Sequence, residues 1–263
     1  MRIAVAGGTG AVGSQVVNAL RANGHDAVVL SRSTGVDLLT GEGLDAALDG
    51  ADAVIDTANV STLSADAAIR FFQAATGNLL AAAARAGVAH AVLLSIVGID
   101  RMPHDYYAGK IAQERVVEEA DVPWTILRAT QFHEFAAQLY DRARLGPLHV
   151  APRARVQPIA AHEVGAHLAS LAAGAPRGRT PDLAGPREER LDEMVKAFAR
   201  RSGRRGWIPS VNLPGAQMKG MRAGFALPGD DAVIGSQTFA DWLDERVGRP
   251  ASDGRTDRLS EQR

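Results

Sequence analysis

The chain of 263 residues is long enough for one large domain, or for one domain with a smaller lobe. With 46% apolar and 22% charged residues and a net charge of −1, its composition is that of a soluble globular protein and excludes a basic nucleic-acid-binding surface. No cysteine is present, which excludes disulfides, thiolate metal sites and thiol nucleophiles. No signal-peptide pattern or membrane-length apolar stretch is found, so we expect a cytoplasmic protein without a membrane partner.

The first half of the chain alternates short apolar strands with helices. Strands are predicted at residues 3–6, 27–30, 53–55, 91–95 and 124–127, with a further short strand that ends at Asp37 and Leu38. Helices are predicted at residues 12–23, 43–48, 64–86 and 106–120. This order predicts an α/β protein with a Rossmann-type, doubly wound parallel sheet, whose ligands bind beyond the carboxyl ends of the strands.

The second half has shorter elements, and glycine and proline recur in it after residue 140. Amphipathic helices are predicted around residues 164–171, 191–198 and 239–243. We predict an NAD(P)-binding Rossmann domain over residues 1–150. A smaller substrate-binding lobe over residues 151–247 is expected to be interleaved with that domain and to cover the edge of its sheet. The tail, residues 248–263, has no apolar period and is predicted to be disordered.

A glycine-rich turn separates the first strand from the first helix. Its spacing, Gly7-x-x-Gly10-x-x-Gly13, is a variant of the dinucleotide-binding fingerprint. Backbone N–H groups at the start of a helix bind phosphate, so this turn predicts a pyrophosphate site. The residues expected to hold the cofactor there are Gly7, Gly8, Thr9, Gly10, Ala11, Val12 and Gly13.

The end of the second strand favours NADP(H) over NAD(H). An NAD site places an acidic residue there, whereas this chain has Ser31 followed by Arg32. No carboxylate repels a 2′-phosphate at this point, and the guanidinium can pair with one. Asp37 and Leu38 are expected to border the adenine.

The helix that begins at Tyr106 carries the candidate reacting groups. Tyr106 and Lys110 are four residues apart and are expected to project from one face. The ammonium is expected to lower the pKa of the phenol from about 10 toward neutral, which makes Tyr106 an acid/base, and Lys110 can reach the nicotinamide ribose. Ser95 ends the preceding strand and is expected to hold a substrate oxygen beside the tyrosine. It lacks the flanking glycines of a hydrolase nucleophile elbow.

The segment after the last predicted strand offers a pocket wall rather than a metal site. His133 and Glu134 form half of a zinc-binding motif, but Ala137 stands where the second histidine would be, so no metal is expected. Gln131, Phe132 and His133 follow the strand directly, where one wall of the substrate pocket is expected.

Seven short motifs follow one another along the chain. They are residues 7–13, Ser31-Arg32, residues 95–98, Tyr106-x-x-x-Lys110, and residues 124–130, 183–186 and 239–243. Together they resemble the atypical short-chain dehydrogenase/reductases, in the NmrA-like NAD(P)-binding branch, over about residues 1–247. The resemblance implies bound NAD(P)(H), with Tyr106 as acid/base, Lys110 as its partner and Ser95 as a third member. It also implies cofactor contacts from Thr57, Ala58, Asn59, Thr130, Gln131 and Phe132.

The preferred hypothesis is an NADP(H)-dependent oxidoreductase that transfers hydride to or from a small, partly apolar carbonyl or quinone-like substrate. Two alternatives use the same turn. One is a non-catalytic protein that senses NADP(H) and regulates a partner. The other is an epimerase or dehydratase that uses the nucleotide as a recycled redox group. The sequence leaves the substrate, the direction of reaction and the oligomeric state open.

Overall fold

The computed structural model describes residues 1–146, 148–204 and 206–247, so the tail predicted to be disordered, residues 248–263, lies outside the described residues. The helices are α1 (Ala11–Ala22), α2 (Leu44–Leu48), α3 (Ala65–Arg85), α4 (Tyr106–Glu118), α5 (Phe135–Arg142), α6 (Ala161–Ala172), α7 (Leu191–Arg201), α8 (Ala216–Arg222) and α9 (Phe239–Val247). The strands are β1 (Arg2–Ala6), β2 (Asp26–Leu30), β3 (Ala53–Asp56), β4 (His90–Ile96), β5 (Trp124–Ala129), β6 (Arg144–Leu145), β7 (Leu148–His149), β8 (Ala151–Pro152), β9 (Arg155–Val156), β10 (Gly178–Arg179), β11 (Leu183–Ala184), β12 (Glu189–Arg190), β13 (Ser210–Val211) and β14 (Val233–Ile234).

A parallel sheet forms the centre of the molecule, in the order β14-β11-β5-β4-β3-β1-β2, with β10 also paired to β5. This confirms the predicted α/β, Rossmann-type fold class. The chain runs from β1 to β2 on one side and then crosses to β3 on the other side of β1. Such a reversal opens a crevice beyond the carboxyl ends of β1 and β3, which is where doubly wound sheets bind ligands.

Helices cover both faces of the sheet, because apolar side chains of β1 point alternately to one face and to the other. Ile3 and Val5 face the core that α1 and α6 share, whereas Ala4 and Ala6 face the core under α2 and α3. Successive strand residues point to opposite faces, so a strand buried on both faces is apolar throughout. The four residues are fully buried.

No strand forms before Asp37 and Leu38, contrary to the prediction. The chain after β2 makes a 3-10 turn over Arg32–Thr34, and Gly35 follows with φ of +80°. The Asp37 carboxylate then accepts a hydrogen bond from the backbone N–H of Leu39 at 2.7 Å. A side chain that satisfies its own backbone in this way favours a turn over a strand.

The elements after residue 150 divide between the sheet and a second core. Helix α6 packs on α1, and β10, β11 and β14 extend the sheet beyond β5. The second half was expected to cover the edge of the sheet, but three of its strands instead form that edge. The remaining helices surround a separate apolar core that contains Tyr140, Phe198 and Trp242. The division into domains at residue 150 stays a prediction.

Among the helices of the described residues, none combines the length and the apolar character that crossing a membrane requires.

Candidate functional site

At two glycines in and after the turn that follows β1, the backbone leaves no room for a side chain. Gly7 has φ of +73°, and a Cβ on it would lie 2.8 Å from the carbonyl oxygen of Thr57. A Cβ on Gly13 would lie 2.1 Å from the Gly7 carbonyl oxygen, which the N–H of Gly10 also contacts at 2.8 Å. Real Cβ atoms do not approach a backbone oxygen so closely, so both positions require glycine. The tight turn and the close helix packing predicted for these glycines are therefore present.

The N-terminus of α1 opens directly from this turn. Gly10 occupies the N-cap position without a side-chain cap, and the first turn carries no acidic residue. The first N–H groups of a helix have no partner within the helix, and the helix dipole adds partial positive charge there. A cradle of mostly glycine backbone, in front of unpaired donors, fits the pyrophosphate of a nucleotide.

The residues at the end of β2 have different surroundings. Ser31 is held in the turn, where its hydroxyl lies 2.8 Å from that of Ser33. Arg32 is exposed, and within the described residues its guanidinium has neither a hydrogen bond nor an ion pair. The guanidinium is therefore available to a ligand. It borders a shallow depression of about 310 Å³ whose other lining residues are Gly35, Val36, Asp37 and Glu42.

The loop after β3, residues 57–59, reaches both parts of the candidate site. Its first residue, Thr57, presents the carbonyl that packs against Gly7. Its last residue, Asn59, accepts a hydrogen bond from the Tyr106 hydroxyl at 2.7 Å. Between them, the N–H of Ala58 donates to the carboxylate of Asp56 at 2.9 Å. Three residues thus connect the glycine turn to the start of α4.

The phenol of Tyr106 is protonated at neutral pH. Burial raises its pKa above the ordinary value, and the nearby Tyr107 and Asp56 raise it further. The predicted lowering of this pKa toward neutral is therefore wrong, because the loss of water around a phenolate on burial raises the pKa. The ring packs edge-on against Phe72, with centroids 5.7 Å apart. Tyr106 is therefore present as the protonated phenol, a weaker acid than an ordinary tyrosine, and its phenolate is not populated at neutral pH.

Lys110 points into the protein rather than toward the phenol. It is 4% exposed, and its ammonium donates to the carbonyl of Leu94 at 2.8 Å and to the side-chain oxygen of Gln113. It also lies 4.8 Å from the centroid of the Phe72 ring, on which Tyr106 packs as well. Burial lowers the pKa of Lys110 to about 8, although the carboxylates of Asp56 and Glu114 oppose this change.

Ser95 does not join Tyr106. The serine is 2% exposed and its position in β4 pairs with Arg128 of β5. Burial favours the neutral form of Glu114, but the hydrogen bonds and the charge of Arg128 outweigh it and lower the pKa of this carboxyl. The Ser95 hydroxyl oxygen is buried without a hydrogen bond in the described structure. In the described part of the chain no hydrogen bond links Ser95 with Tyr106. The predicted Ser/Tyr/Lys set is therefore incomplete as a contact network.

The segment after β5 is more deeply packed than predicted. Thr130 is buried, and its hydroxyl donates to the carbonyl of Gln157 at 2.6 Å. Phe132 is half-buried against the apolar core. His133 is fully buried, with Phe239 and Trp242 each 5.8 Å from its ring centroid, so it is a core residue and not a pocket wall.

Gln131 follows β5, and Tyr107 on α4 lies in the second apolar core. Both amide atoms of Gln131 are buried without a hydrogen bond in the described structure. Burial raises the pKa of Tyr107, which is 5% exposed. No group of three histidine, aspartate or glutamate side chains among the described residues is arranged to hold a metal ion.

A buried polar cluster, formed by Asp56, Thr76, Lys110 and Gln113, lies behind the site. The sequence prediction included Lys110 but missed the other three members. A signal existed for Gln113, which lies seven residues after Tyr106 and three after Lys110, on the same face of α4. Asp56 and Thr76 gave no such signal, because they come from β3 and α3.

The sheet, the switch point and the glycine turn define a Rossmann-type nucleotide-binding protein. A family model described as NAD(P)H-binding matches residues 7–161, more than half of the chain, and the chain belongs to this family. This confirms the predicted NAD(P)-binding character. A comparison with curated proteins gives no match.

Solved structures of dehydrogenase and epimerase folds are similar over nearly the whole chain. Triphenylmethane reductase from Citrobacter sp., complexed with NADP(H), has 19% identity and a TM-score of 0.66, covering 95% of this chain and 96% of its own. A short-chain dehydrogenase/reductase superfamily protein from Agrobacterium tumefaciens with bound NAD has 18% identity and a TM-score of 0.66, covering 94% and 96%. UDP-N-acetylglucosamine 4-epimerase from Bacillus cereus has 17% identity and a TM-score of 0.64, covering 94% and 98%. At these identities the likeness confirms the fold predicted from the sequence.

Proposed function

We propose that the chain is an NADP(H)-dependent oxidoreductase that reduces a small, partly apolar carbonyl or quinone-like substrate. The observation that carries this proposal is the loop at residues 57–59. It packs against Gly7 of the phosphate turn at one end and holds the Tyr106 hydroxyl through Asn59 at the other. A nucleotide bound along the turn would thus lie beside the Tyr106 hydroxyl at the start of α4.

The cofactor site of the proposal follows the edge of the sheet. When bound, the nucleotide supplies the hydride. The chain holds it with the N–H groups of the turn, with Arg32 on a 2′-phosphate, and with the ends of β3 and β5. The residues assigned to it are Gly7, Gly8, Thr9, Gly10, Ala11, Val12, Gly13, Ser31, Arg32, Asp37, Leu38, Thr57, Ala58, Asn59, Lys110, Thr130 and Phe132.

Tyr106 supplies the proton in this proposal. Its raised pKa keeps the phenol protonated, so it donates to the oxygen of a carbonyl as hydride reaches the carbon. The protonated phenol is the form that reduction of a carbonyl requires, whereas oxidation of an alcohol requires the phenolate as a base. Lys110 contributes a buried positive charge 4.8 Å from the centroid of the Phe72 ring.

Turnover and binding should separate in a Tyr106→Phe variant. NADPH oxidation is measured with a panel of small carbonyls and quinones, and the Kd for NADPH by fluorescence. We expect a loss of turnover of about 100-fold or more with little change in Kd, as for removal of a general acid. Tyr107→Phe, one residue along the same helix, is the matched control. Turnover in Tyr106→Phe equal to that of the control would remove Tyr106 from the reaction.

The preference for NADP rests on Arg32 and is tested by thermal shift. A ligand stabilises the folded state according to its concentration and Kd, so NADP should raise Tm more than NAD at equal concentration. In Arg32→Ala this difference should disappear while the NAD effect stays. Arg115→Ala, an exposed arginine on α4, is the control. A larger shift with NAD in the unaltered protein would refute the preference.

A non-catalytic NADP(H) sensor is the second candidate. The observation that favours it is the raised pKa of Tyr106, together with a lysine that is turned away from the phenol. Tight binding of NADPH without oxidation on the whole substrate panel would support the sensor. Conversion of a substrate without net loss of NADPH would instead indicate an epimerase or dehydratase. The NmrA-like branch and a cytoplasmic location stay predictions from sequence.

A further inference from the structure

The buried polar cluster has a defined hydrogen-bond direction. Gln113 donates through its side-chain nitrogen to a carboxylate oxygen of Asp56 at 3.0 Å and to the hydroxyl of Thr76 at 2.9 Å. Thr76 donates its single hydrogen to the same carboxylate oxygen at 2.8 Å. A carboxylate accepts only, and the threonine hydrogen is already used, so the nitrogen of the amide must face these two groups.

The fixed nitrogen leaves the amide oxygen of Gln113 facing Lys110. The ammonium donates to that oxygen and to the carbonyl of Leu94. The carboxylate of Asp56 therefore acts on Lys110 in two ways, by its charge and by orienting the amide between them. A reversed amide would point its N–H groups at the ammonium.

Few charges face Lys110 from the elements packed around it. Asp56 at the end of β3 and Glu114 on its own helix are the charged groups that act on its titration. Tyr106, also on α4, is protonated at neutral pH. From α3 it meets the ring of Phe72, and from β4 the carbonyl of Leu94. With so little else near it, the amide oxygen of Gln113 is a principal partner of the charged form.

The cluster also connects to the proposed cofactor loop. The second carboxylate oxygen of Asp56 accepts from the N–H of Ala58. The next residue, Asn59, holds the Tyr106 hydroxyl. Lys110 and the loop are thus linked through one carboxylate and one amide, each of which is buried.

We propose that Gln113 is a positioning residue, which keeps Lys110 protonated and turned toward the Leu94 carbonyl and couples this lysine to the cofactor loop through Asp56. The inference rests on the proposed function for its consequence in nucleotide binding, but its central statement concerns the protonation of Lys110. That protonation can be measured without any substrate.

The chain has three lysines, which makes a direct measurement practicable. Protein labelled with ¹³C-lysine is titrated by NMR, with Lys196 and Lys219 as internal references and a Lys110→Met variant for assignment. In Gln113→Met, which keeps the side-chain length but loses all three hydrogen bonds of the amide, including the one that it accepts from Lys110, we expect the Lys110 midpoint to fall by roughly one to two pH units, as for loss of one hydrogen bond to a charged group. In Gln113→Glu, which presents an oxygen and adds a negative charge, the midpoint should equal or exceed the original.

A lowered midpoint in Gln113→Met together with an equal or higher midpoint in Gln113→Glu separates positioning from a merely structural role, which would leave the midpoint unmoved in both. Thr76→Val serves if Gln113→Met does not fold, and it should lower the midpoint by a smaller amount because the amide loses one of its orienting partners. An unchanged Lys110 midpoint in the folded variants would overturn the inference.

Nucleotide binding distinguishes this failure from failure of the proposed function. The Kd for NADPH is measured across the same pH range, and the pH midpoint of affinity should move downward together with Lys110 in Gln113→Met. If NADPH does not bind the unaltered protein, the proposed function fails while the NMR result still decides the role of Gln113. If the pH midpoint of NADPH affinity stays unchanged while the Lys110 midpoint falls, the proposed coupling to the cofactor loop is wrong.

Discussion

The turn after β1 offers backbone to a ligand, whereas the inner face of α4 offers side chains. In the turn, Gly7 and Gly13 matter because a Cβ on either would meet backbone oxygen at 2.8 Å or less. On α4, Tyr106 and Lys110 owe their properties to burial and to partners on β3, α3 and β4. The comparison shows that a site made of backbone is encoded locally, while protonation is decided by residues far apart in sequence.

The largest effect is expected from a single methyl group in the turn. A Gly13→Ala variant places Cβ 2.1 Å from the Gly7 carbonyl oxygen, so the helix must shift away from the strand. We expect a loss of about 3 kcal/mol in the free energy of unfolding, as for overpacking, and loss of NADPH binding. Urea denaturation and fluorescence titration measure the two effects.

Gly77→Ala is the matched control for this variant. Gly77 lies inside α3, and a Cβ there would have no neighbour within 4 Å. Alanine in a helix is better than glycine by up to about 1 kcal/mol, so this variant should be slightly more stable and should bind NADPH normally. Unimpaired binding by Gly13→Ala would contradict a pyrophosphate site at the turn.

The second expected effect lies on α4 and should spare the turn. The Glu114 carboxylate is 2% exposed and pairs with Arg128 at 2.6 Å and with Arg179 at 2.8 Å. Replacing it in Glu114→Gln leaves these guanidiniums facing a neutral amide, and removing one partner of a buried pair costs about 3 kcal/mol. NADPH affinity should not change at a pH low enough to keep Lys110 protonated in both proteins, because Glu114 otherwise helps to hold the proton on this lysine. Glu118→Gln, whose partner Arg179 is largely exposed, should cost less than about 1 kcal/mol.

This second variant tests the independence of the two regions by chemical denaturation and by NADPH titration at a temperature where it remains folded. Weaker nucleotide binding in Glu114→Gln would show that the ion pairs of α4 and the phosphate turn are coupled. Equal losses of stability in the two glutamate variants would show that burial of Glu114 has no energetic consequence.

The same difference explains what could be predicted from sequence. Local apolar patterns and glycine spacing predict the strand, turn and helix of β1 and α1. They also predict that the strands of the sheet are parallel, and both predictions are confirmed. The strand expected before Asp37 failed because a side-chain hydrogen bond to Leu39 competes with extended structure. The prediction of a lowered pKa for Tyr106 is wrong because the burial of this side chain by the folded chain has no local sequence signal.

Protonation also affects stability at the end of the sheet opposite the site. His90 begins β4, is 3% exposed, and bonds to Thr125 at 2.8 Å. Burial lowers its pKa from the ordinary 6.5, so the folded chain binds fewer protons than the unfolded chain. Stability is therefore full above pH 6.5 and falls as the pH drops below it, by up to about 1.4 kcal/mol per pH unit for one histidine.

A His90→Asn variant reduces this acid slope, which is measured as the free energy of unfolding between pH 7.5 and 5. The exposed His104, in the variant His104→Asn, is the control for the substitution itself. His133 and His167, whose pKa values are also lowered by burial, retain their own contributions. An unaltered slope in His90→Asn would show that His90 does not titrate across the transition.

The smallest effect concerns the residue that precedes Tyr106. Asp105 is the single non-glycine residue in the described chain with positive φ, at φ 51° and ψ −129°, and its side chain does not cap α4. A conformation of this kind costs on the order of 1–3 kcal/mol in a non-glycine residue. Asp105→Gly removes that cost, but glycine also gains freedom in the unfolded chain, which offsets up to about 1 kcal/mol. We expect a net stabilisation of about 0.5–1 kcal/mol, measured by urea denaturation.

Asp105→Ala keeps the Cβ and should not be stabilised. If glycine stabilises the fold but weakens turnover, the strained backbone serves to aim Tyr106; if alanine stabilises it equally, the backbone at Asp105 is not strained.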